Sequence, residues 1–400
     1  MTLHKQYRDQ LAQLVAIPSV SSPSPQWDMS NRGVIDLLAN WCEALGFEIE
    51  VLPIPGQPHK ANLIATLGRG AGGLVLAGHT DTVPCDPDRW ASDPFSLTER
   101  DGRLYGLGAT DMKGFFPVAL EAARRFDQSK LQQPLIILAT ADEESSMDGA
   151  RLLAELGRPK ARYAVVGEPT GMKPVRMHKG IMMERVRVQG LAGHSSNPAL
   201  GNNALEAMHL VIADLLAFRS ELQNRYRNPG FAVPVPTLNL GHIHGGDNPN
   251  RICGHCELQF DLRPLPGMRV AELRELIDRR LDPIREMTGT EIRCDALIGG
   301  VEPFEEAIDS PLVQAVERLT GHQAQSVAFA TEAAFMQQLG MQTLVFGPGS
   351  IDQAHQPDEF IPLDQIEPAA EALAKLIEQF CMKECHQSPV ARRSDLETGD

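Results

Sequence analysis

Residues 74–84 read Leu74-Val-Leu-Ala-Gly-His-Thr-Asp-Thr-Val-Pro84. Leu74 to Ala77 form an apolar run bounded by glycines, the pattern of a strand buried on both faces. His79 and Asp81 follow where that strand should end. Open α/β sheets bind ligands beyond the carboxyl ends of their strands. If 79–81 stays extended, the two side chains share a face, because the strand period is two. His79 then offers a ring nitrogen to a metal, and Asp81 stands where a carboxylate can orient that ring or act on the same centre. Taken locally, a structural His capped by its neighbour fits as well.

Working outward, the same arrangement recurs. Pro134 to Thr140 is the clearest buried strand, and it runs into Asp142-Glu-Glu144. Three consecutive acids there are costly unless cations compensate them, or else they form a solvated turn. Ala161 to Val166 is apolar and ends in Gly167-Glu168-Pro-Thr170. Thr343 to Phe346 is apolar and leads into 347–359, which carries His355. Asp111, in Asp111-Met-Lys-Gly114, precedes a helix expected over Phe115 to Phe126. It is either the N-cap of that helix or a metal ligand at a strand-to-helix turn.

The rest of the chain frames these segments. Helices are expected at 3–16 and 31–45, the second stopped by Gly46, with a strand at 47–52. Asn62–Leu67 and Leu74–Ala77 read as a strand pair joined by a flexible hairpin, Gly68-Arg-Gly-Ala-Gly-Gly73. That join matches G-x-G-x-x-G, but a dinucleotide fingerprint needs a helix after it, and here a strand follows. From about Lys179 the texture changes to strand (182–189), helix (203–222), strand (237–243), strand (251–263), helix (270–288) and strand (291–297). This order is the ferredoxin-like pattern. The expected domains are therefore 1–178 with 299–385, an inserted unit at 179–298, and a polar tail at 386–400. Helices near 311–319, 332–339 and 368–380 and a short strand at 325–329 complete the α/β part.

Composition narrows the function. A chain of 400 residues is long for one core, so two domains are the prior. The net charge of −15 argues against nucleic-acid binding. No apolar run reaches the roughly 18–20 residues that span a bilayer. Met1 to Gln10 lack the apolar core of a signal peptide, so a cytoplasmic location is expected. The 7 cysteines are scattered and expected to be reduced. Cys253-Gly-His-Cys256 looks like a metal knuckle, but residues three apart on a strand face opposite ways, and no second pair completes a site.

His79, Asp111, Glu143, Glu144, Glu168 and His355 thus share one topological position, and their segments can converge on one sheet edge. With Asp81 that edge collects five carboxylates and two imidazoles. Such a set needs protons or cations, and two divalent ions nearly balance it. Ligands of this kind without thiolate suit zinc, cobalt or manganese in a catalytic site. Glu143 and Glu144 are adjacent and point apart on an extended chain, so one can bind metal while the other serves as general base. The reaction class is metal-assisted hydrolysis of an amide or ester.

On these residues the chain resembles the M20 peptidase/deacylase family. The motifs are His79-Thr-Asp81, Asp111-Met-Lys-Gly114, Asp142-Glu-Glu144, Gly167-Glu168-Pro-Thr170, Gly193-His194-Ser195 and His355. The resemblance runs from about residue 5 to 382 and shows no departure at a metal position. It implies an α/β fold: a zinc-peptidase-like catalytic domain with a mixed sheet flanked by helices, interrupted by a smaller ferredoxin-like dimerisation (lid) domain. It implies two divalent ions per subunit, Zn or Co, with Asp111 bridging them and His79, Glu144, Glu168 and His355 as the other ligands. Glu143 would be the general base and Asp81 would orient His79. His194 would reach the partner subunit's site in a homodimer and stabilise the oxyanion. Arg263 and Asn250 would hold a substrate carboxylate.

Further segments narrow the branch: Asn239 to Asp247, Asn250-Arg-Ile-Cys253, Asp261 to Gly267, Thr331-Glu-Ala333, Gly347-Pro-Gly-Ser350 and Gln353 to Glu359. They imply hydrolysis of N2-acetyl-L-ornithine to L-ornithine and acetate, in arginine biosynthesis. Other readings stay open: a relative acting on another acyl group, such as N-succinyl-diaminopimelate, or on a dipeptide, and a metal-free binding protein. Residue roles have alternatives too. His194 can be a turn residue, and Arg263 can pair with Asp261. Glu332 can be an acid at a helix N-terminus or a contact for the substrate amine.

Overall fold

The computed structural model describes residues 3–382, so the tail expected at 386–400 lies outside the described residues. In chain order the strands are β1 (Glu48–Ile54), β2 (Gln57–Leu67), β3 (Leu74–His79), β4 (Thr98–Arg100), β5 (Arg103–Tyr105), β6 (Leu135–Thr140), β7 (Tyr163–Val166) and β8 (Val175–His178). They continue with β9 (Met182–Gln189), β10 (Thr237–Gly245), β11 (His255–Arg263), β12 (Glu291–Ala296), β13 (Phe304–Glu305), β14 (Gln325–Val327), β15 (Gln342–Val345) and β16 (Phe360–Pro362). The helices are α1 (Leu3–Val15), α2 (Arg32–Ala44), α3 (Phe115–Arg124), α4 (Asp148–Leu156), α5 (Ala204–Arg225), α6 (Val270–Thr288), α7 (Pro311–Thr320), α8 (Ala333–Gln338) and α9 (Ile366–Cys381).

The large sheet has the order β1-β2-β6-β3-β7-β15-β8-β13, with β14 beside β8. Its centre, β6-β3-β7-β15, is parallel, and its flanks are antiparallel except for β14, which runs parallel to β8. β3, β6 and β7 are mainly apolar because both faces are covered. Leu74 and Leu76 join Leu135 and Ile137 in a core with α1, α2, α3, α7 and α9. Val75 and Ala77 join Ile136 and Leu138 in a core with α4 and α8 on the other face.

The expected hairpin between β2 and β3 is not formed. β6 lies between them, antiparallel to β2 (Leu63 opposite Ala139) and parallel to β3 (Leu76 opposite Ile137). The apolar β6 needs a ladder on each edge, and this insertion supplies both. The glycine-rich segment instead steps around Pro134. Gly73 has φ +95, and a Cβ there would stand 2.0 Å from the Pro134 carbonyl oxygen. Only glycine passes at that distance.

Residues 182–296 build a separate antiparallel sheet, order β10-β11-β9-β12, with the expected helices α5 and α6. Alternate residues Cys256, Leu258, Phe260 and Leu262 of β11 pack with Val186, Val188, Phe218 and Ile277 in one core. β11 begins at His255, so Cys253 precedes the strand; its Sγ donates to the His255 carbonyl at 3.1 Å. Both cysteines belong to that apolar core, as free thiols. Helix α4, strands β8 and β13, and the three-stranded sheet β16-β5-β4 that ties residues 360–362 to 98–105 had no clear sequence signal.

Candidate metal centre

Parallel pairing brings the first residues together. His79 ends β3 opposite Thr140, the last residue of β6, so the 141–144 turn emerges beside it. Val166 ends β7 opposite Ala77, and Glu168 follows two residues later. Val345 of β15 pairs with Val166, which directs the 347–359 segment to the same edge.

Asp111 joins the two imidazoles. His79 Nε2 is 3.1 Å from Asp111 Oδ1, and His355 Nε2 is 3.4 Å from Asp111 Oδ2. The N-cap of α3 is Gly114, so the capping role open to Asp111 is not the one it takes. His355 Nε2 also lies 3.0 Å from the Glu144 carboxylate. His355 adopts φ +60, an uncommon backbone region where His is tolerated.

His79 is fully buried, and its Nδ1 faces the main-chain carbonyl of Asp81 at 3.0 Å. The nearest Asp81 carboxylate oxygen is farther, at 3.7 Å. That carboxylate instead accepts the amide N–H of Glu143 at 3.2 Å and of Glu144 at 3.0 Å. Asp81 therefore holds the turn of the two glutamates, while its main chain holds the ring.

The adjacent glutamates diverge. Ligand atoms of His79, Asp111 and Glu144 lie within 4.8 Å of one another, as do those of His79, Glu143 and Glu168. Burial, then repulsion from Glu168, drives the Glu143 carboxyl well above its ordinary range. Burial and Asp111 do the same to Glu168. Burial lowers the basicity of His79, yet the hydrogen bond to Asp111 and the surrounding carboxylates raise it well above the ordinary histidine value. Bonds to Asp111 and Glu144 push His355 up to about 10.

These features fit divalent cations. With Nδ1 donating to a carbonyl, a neutral His79 presents its Nε2 lone pair to a carboxylate oxygen at 3.1 Å. Two facing acceptors require a proton or a metal ion between them. Glu168 Oε1 is buried without a donor, as are both oxygens of Glu332. The donor set of imidazole and carboxylate suits zinc, cobalt or manganese. Among the described residues, no other group of three or more metal-capable side chains meets the same distance limit, the Cys253/Cys256 knuckle included.

Glu332 is fully buried, in the N-cap position of α8 but without a capping bond, and burial pushes it up to about 7. The contact with a substrate amine that its sequence position allows would need access it lacks here. His194, Asn250 and Arg263 are not joined to the centre by any hydrogen bond or ion pair among the described residues. His194 is exposed, bonded through Nδ1 to Ser196, and bridged to Arg251. Asn250 accepts the Ser195 N–H at 3.1 Å, so these two residues are neighbours. Arg263 Nε pairs with the Asp261 carboxylate at 2.9 and 3.0 Å.

Supporting residues escaped sequence reasoning. Lys60 is fully buried and donates to Asp28 at 2.8 Å and Asp142 at 2.6 Å. Asp142, at φ +59, accepts three amides of the 145–147 turn through its carbonyl. Lys113 is buried and donates to the carbonyls of Leu14 (3.1 Å) and Ile17 (2.8 Å); burial pulls it down to about 7. Glu359, also buried, accepts amides of the Asp111 turn. Lys60 stands among Pro58, His59, Ala61 and Asn62, so its burial had no clear local signal. Glu359 carried none locally, because its partners lie 248 to 251 residues away.

The pattern of peptidase family M20/M25/M40 matches residues 75–379. An acetylornithine deacetylase of Proteus mirabilis is 50% identical over 372 residues, covering 93% of this chain and 96% of that protein. One from Pasteurella multocida is 50% identical over 368 residues, covering 92% and 96%. Among solved structures, an M20 family metallo-carboxypeptidase from Sulfolobus solfataricus superposes with TM-score 0.73 at 19% identity, covering 93% of this chain and 98% of that one. A dinuclear metal binding peptidase of the M20 family from Bacillus subtilis gives TM-score 0.64 at 16% identity, covering 94% and 97%.

Proposed function

The chain belongs to peptidase family M20/M25/M40, and on that premise we propose that it hydrolyses N2-acetyl-L-ornithine to L-ornithine and acetate, in the cytoplasm, as a step of arginine biosynthesis. The substrate follows from the 50% identity to acetylornithine deacetylases over nine-tenths of the chain. The observation that carries the chemistry is the Asp111 carboxylate set between His79 and His355, one oxygen toward each.

His79, Glu168 and Asp111 would hold one divalent ion, and His355, Glu144 and Asp111 the other. When bound, zinc or cobalt would polarise the amide carbonyl and make water acidic enough to attack near neutral pH. Glu143 lies beside His79 and Glu168, and its turn is held by Asp81, whose carboxylate accepts the Glu143 amide N–H. The Glu143 carboxylate takes a proton from the attacking water and returns it to the leaving amine as the C–N bond breaks.

The remaining roles extend to a second subunit. β10 is an edge strand with Ile243 exposed, and Leu191, Leu200 and Leu205 are exposed on the same unit. An unpaired edge strand on a unit that exposes several large apolar side chains supports a homodimer. His194 would then serve the partner subunit's centre as an oxyanion donor, with Asn250 beside it and Arg263 for the substrate carboxylate.

The test is steady-state hydrolysis of N2-acetyl-L-ornithine beside N-succinyl-diaminopimelate, using enzyme stripped by chelator and reloaded with zinc or cobalt. Metal-dependent turnover favouring acetylornithine is expected. Turnover favouring the succinyl substrate would refute the assigned substrate, and turnover without metal would refute the mechanism.

A further inference from the structure

Glu359 has no part in the chemistry above, yet it is 2% exposed and lies four residues beyond His355. Its Oε1 accepts the amide N–H of Thr110 at 2.8 Å and of Asp111 at 2.9 Å; its Oε2 accepts that of Gly108 at 2.9 Å. Amides of one turn pointing at one point form an anion-binding concavity, here filled by the chain's own carboxylate. The main chain reinforces the seat. Gly106 N–H donates to the Glu359 carbonyl at 3.0 Å, and Thr110 Oγ1 donates to the Phe360 carbonyl at 2.8 Å.

The geometry matters because Asp has a short side chain. Where its backbone stands largely decides where its carboxylate stands. Asp111 must present one oxygen to each imidazole, at 3.1 and 3.4 Å. A metal constellation tolerates displacements of only about 0.5 Å. One of those imidazoles, His355, rides on the segment that ends in Glu359.

We propose that Glu359 is a positioning residue of the metal centre: by gripping the amides of Gly108, Thr110 and Asp111 it keeps the Asp111 carboxylate in register with His355. This rests on the two-ion reading of the site. A purely architectural carboxylate would make the same bonds, so the test must separate metal fit from folding.

Glu359→Gln keeps the bonds to Oε1 and turns the Gly108 acceptor into a donor. Glu359→Asp keeps the charge and loses the reach. Metal-free wild type and both variants are titrated with Zn2+ and Co2+ against a competing chelator. The visible absorption of the Co2+ forms and the unfolding midpoints of the metal-free forms are measured alongside. The affinity of both variants for at least one ion should fall by about 10–100-fold, the usual effect of losing a partner that orients a ligand. Their Co2+ spectra should change and kcat should fall more than KM rises. If one variant fails to fold, the other carries the test. Folded variants that bind both ions as wild type does, with unchanged Co2+ spectra, would overturn the inference alone, even if their midpoints drop. Wild type that binds fewer than two ions would overturn the two-ion reading and the inference with it.

Discussion

Replacing Asp81 by Asn separates two tasks that its position in His79-Thr-Asp81 suggests are one. Its carboxylate gives one oxygen to the Glu143 amide and the other to the Glu144 amide, at 3.2 and 3.0 Å. The His79 ring leans on the Asp81 main-chain carbonyl, at 3.0 Å. Asn keeps the volume and that carbonyl, but one acceptor becomes an NH2 group facing an N–H. A charge-assisted bond worth about 1.5–3 kcal/mol is lost, and a glutamate amide is left without its partner. Spent on the alignment of Glu143 in the transition state, that energy lowers kcat by roughly 10–150-fold, since about 1.4 kcal/mol is a factor of ten. The assay is steady-state deacetylation with metal content measured on the same sample. KM and the bound-ion count should hold, because His79 keeps its hydrogen bond. Metal affinity reduced about tenfold or more, with normal kcat in the loaded enzyme, would refute this reasoning and make the carboxylate the orienter of the ring.

Glu143→Gln should lower kcat by about 10^2–10^4 while both ions still bind; a folded, loaded variant with near-normal kcat would remove Glu143 as the base. Lys60→Met leaves the Asp142 carboxylate, 3% exposed, without its cation, and should cost about 3–5 kcal/mol in denaturant unfolding of the metal-free protein. An unchanged midpoint would show that Asp142 finds another donor. Asp28 supplies the pH dependence. Burial raises its pKa, but bonds from Lys60, His59 and the Ser22 amide lower it further, below the ordinary carboxylate value. The stability it contributes is complete above that ordinary value and is lost as pH falls through the lowered one. Wild type should therefore lose more stability than Asp28→Asn between about pH 5 and pH 3, and equal losses would contradict the sign.

Much of the centre was legible because burial leaves a mark on composition. Leu74–Ala77, Leu135–Thr140 and Tyr163–Val166 are apolar on both faces, so they had to be interior strands. An acid or histidine just past such a strand is expensive without a purpose, which flagged His79, Glu144 and Glu168. Asp111 was ambiguous, since a helix cap and a ligand use the same residue type at the same place. Arg263 shows the limit from the other side: its visible partner is Asp261, two residues away. The hairpin expected between β2 and β3 failed because periodicity reports which faces are buried and says nothing about which strand lies alongside.

By itself, then, the sequence determined the α/β texture, the ferredoxin-like order at 182–296, the family, and the imidazole and carboxylate groups that stand just past the buried strands, since each depends on local period or on residues within one short motif. Strand order, the insertion of β6, the split duties of Asp81 and the grip of Glu359 on the Asp111 turn were decided only by the tertiary structure. Each joins segments tens to hundreds of residues apart, and their pairing is set by mutual burial and hydrogen-bond satisfaction across the whole fold.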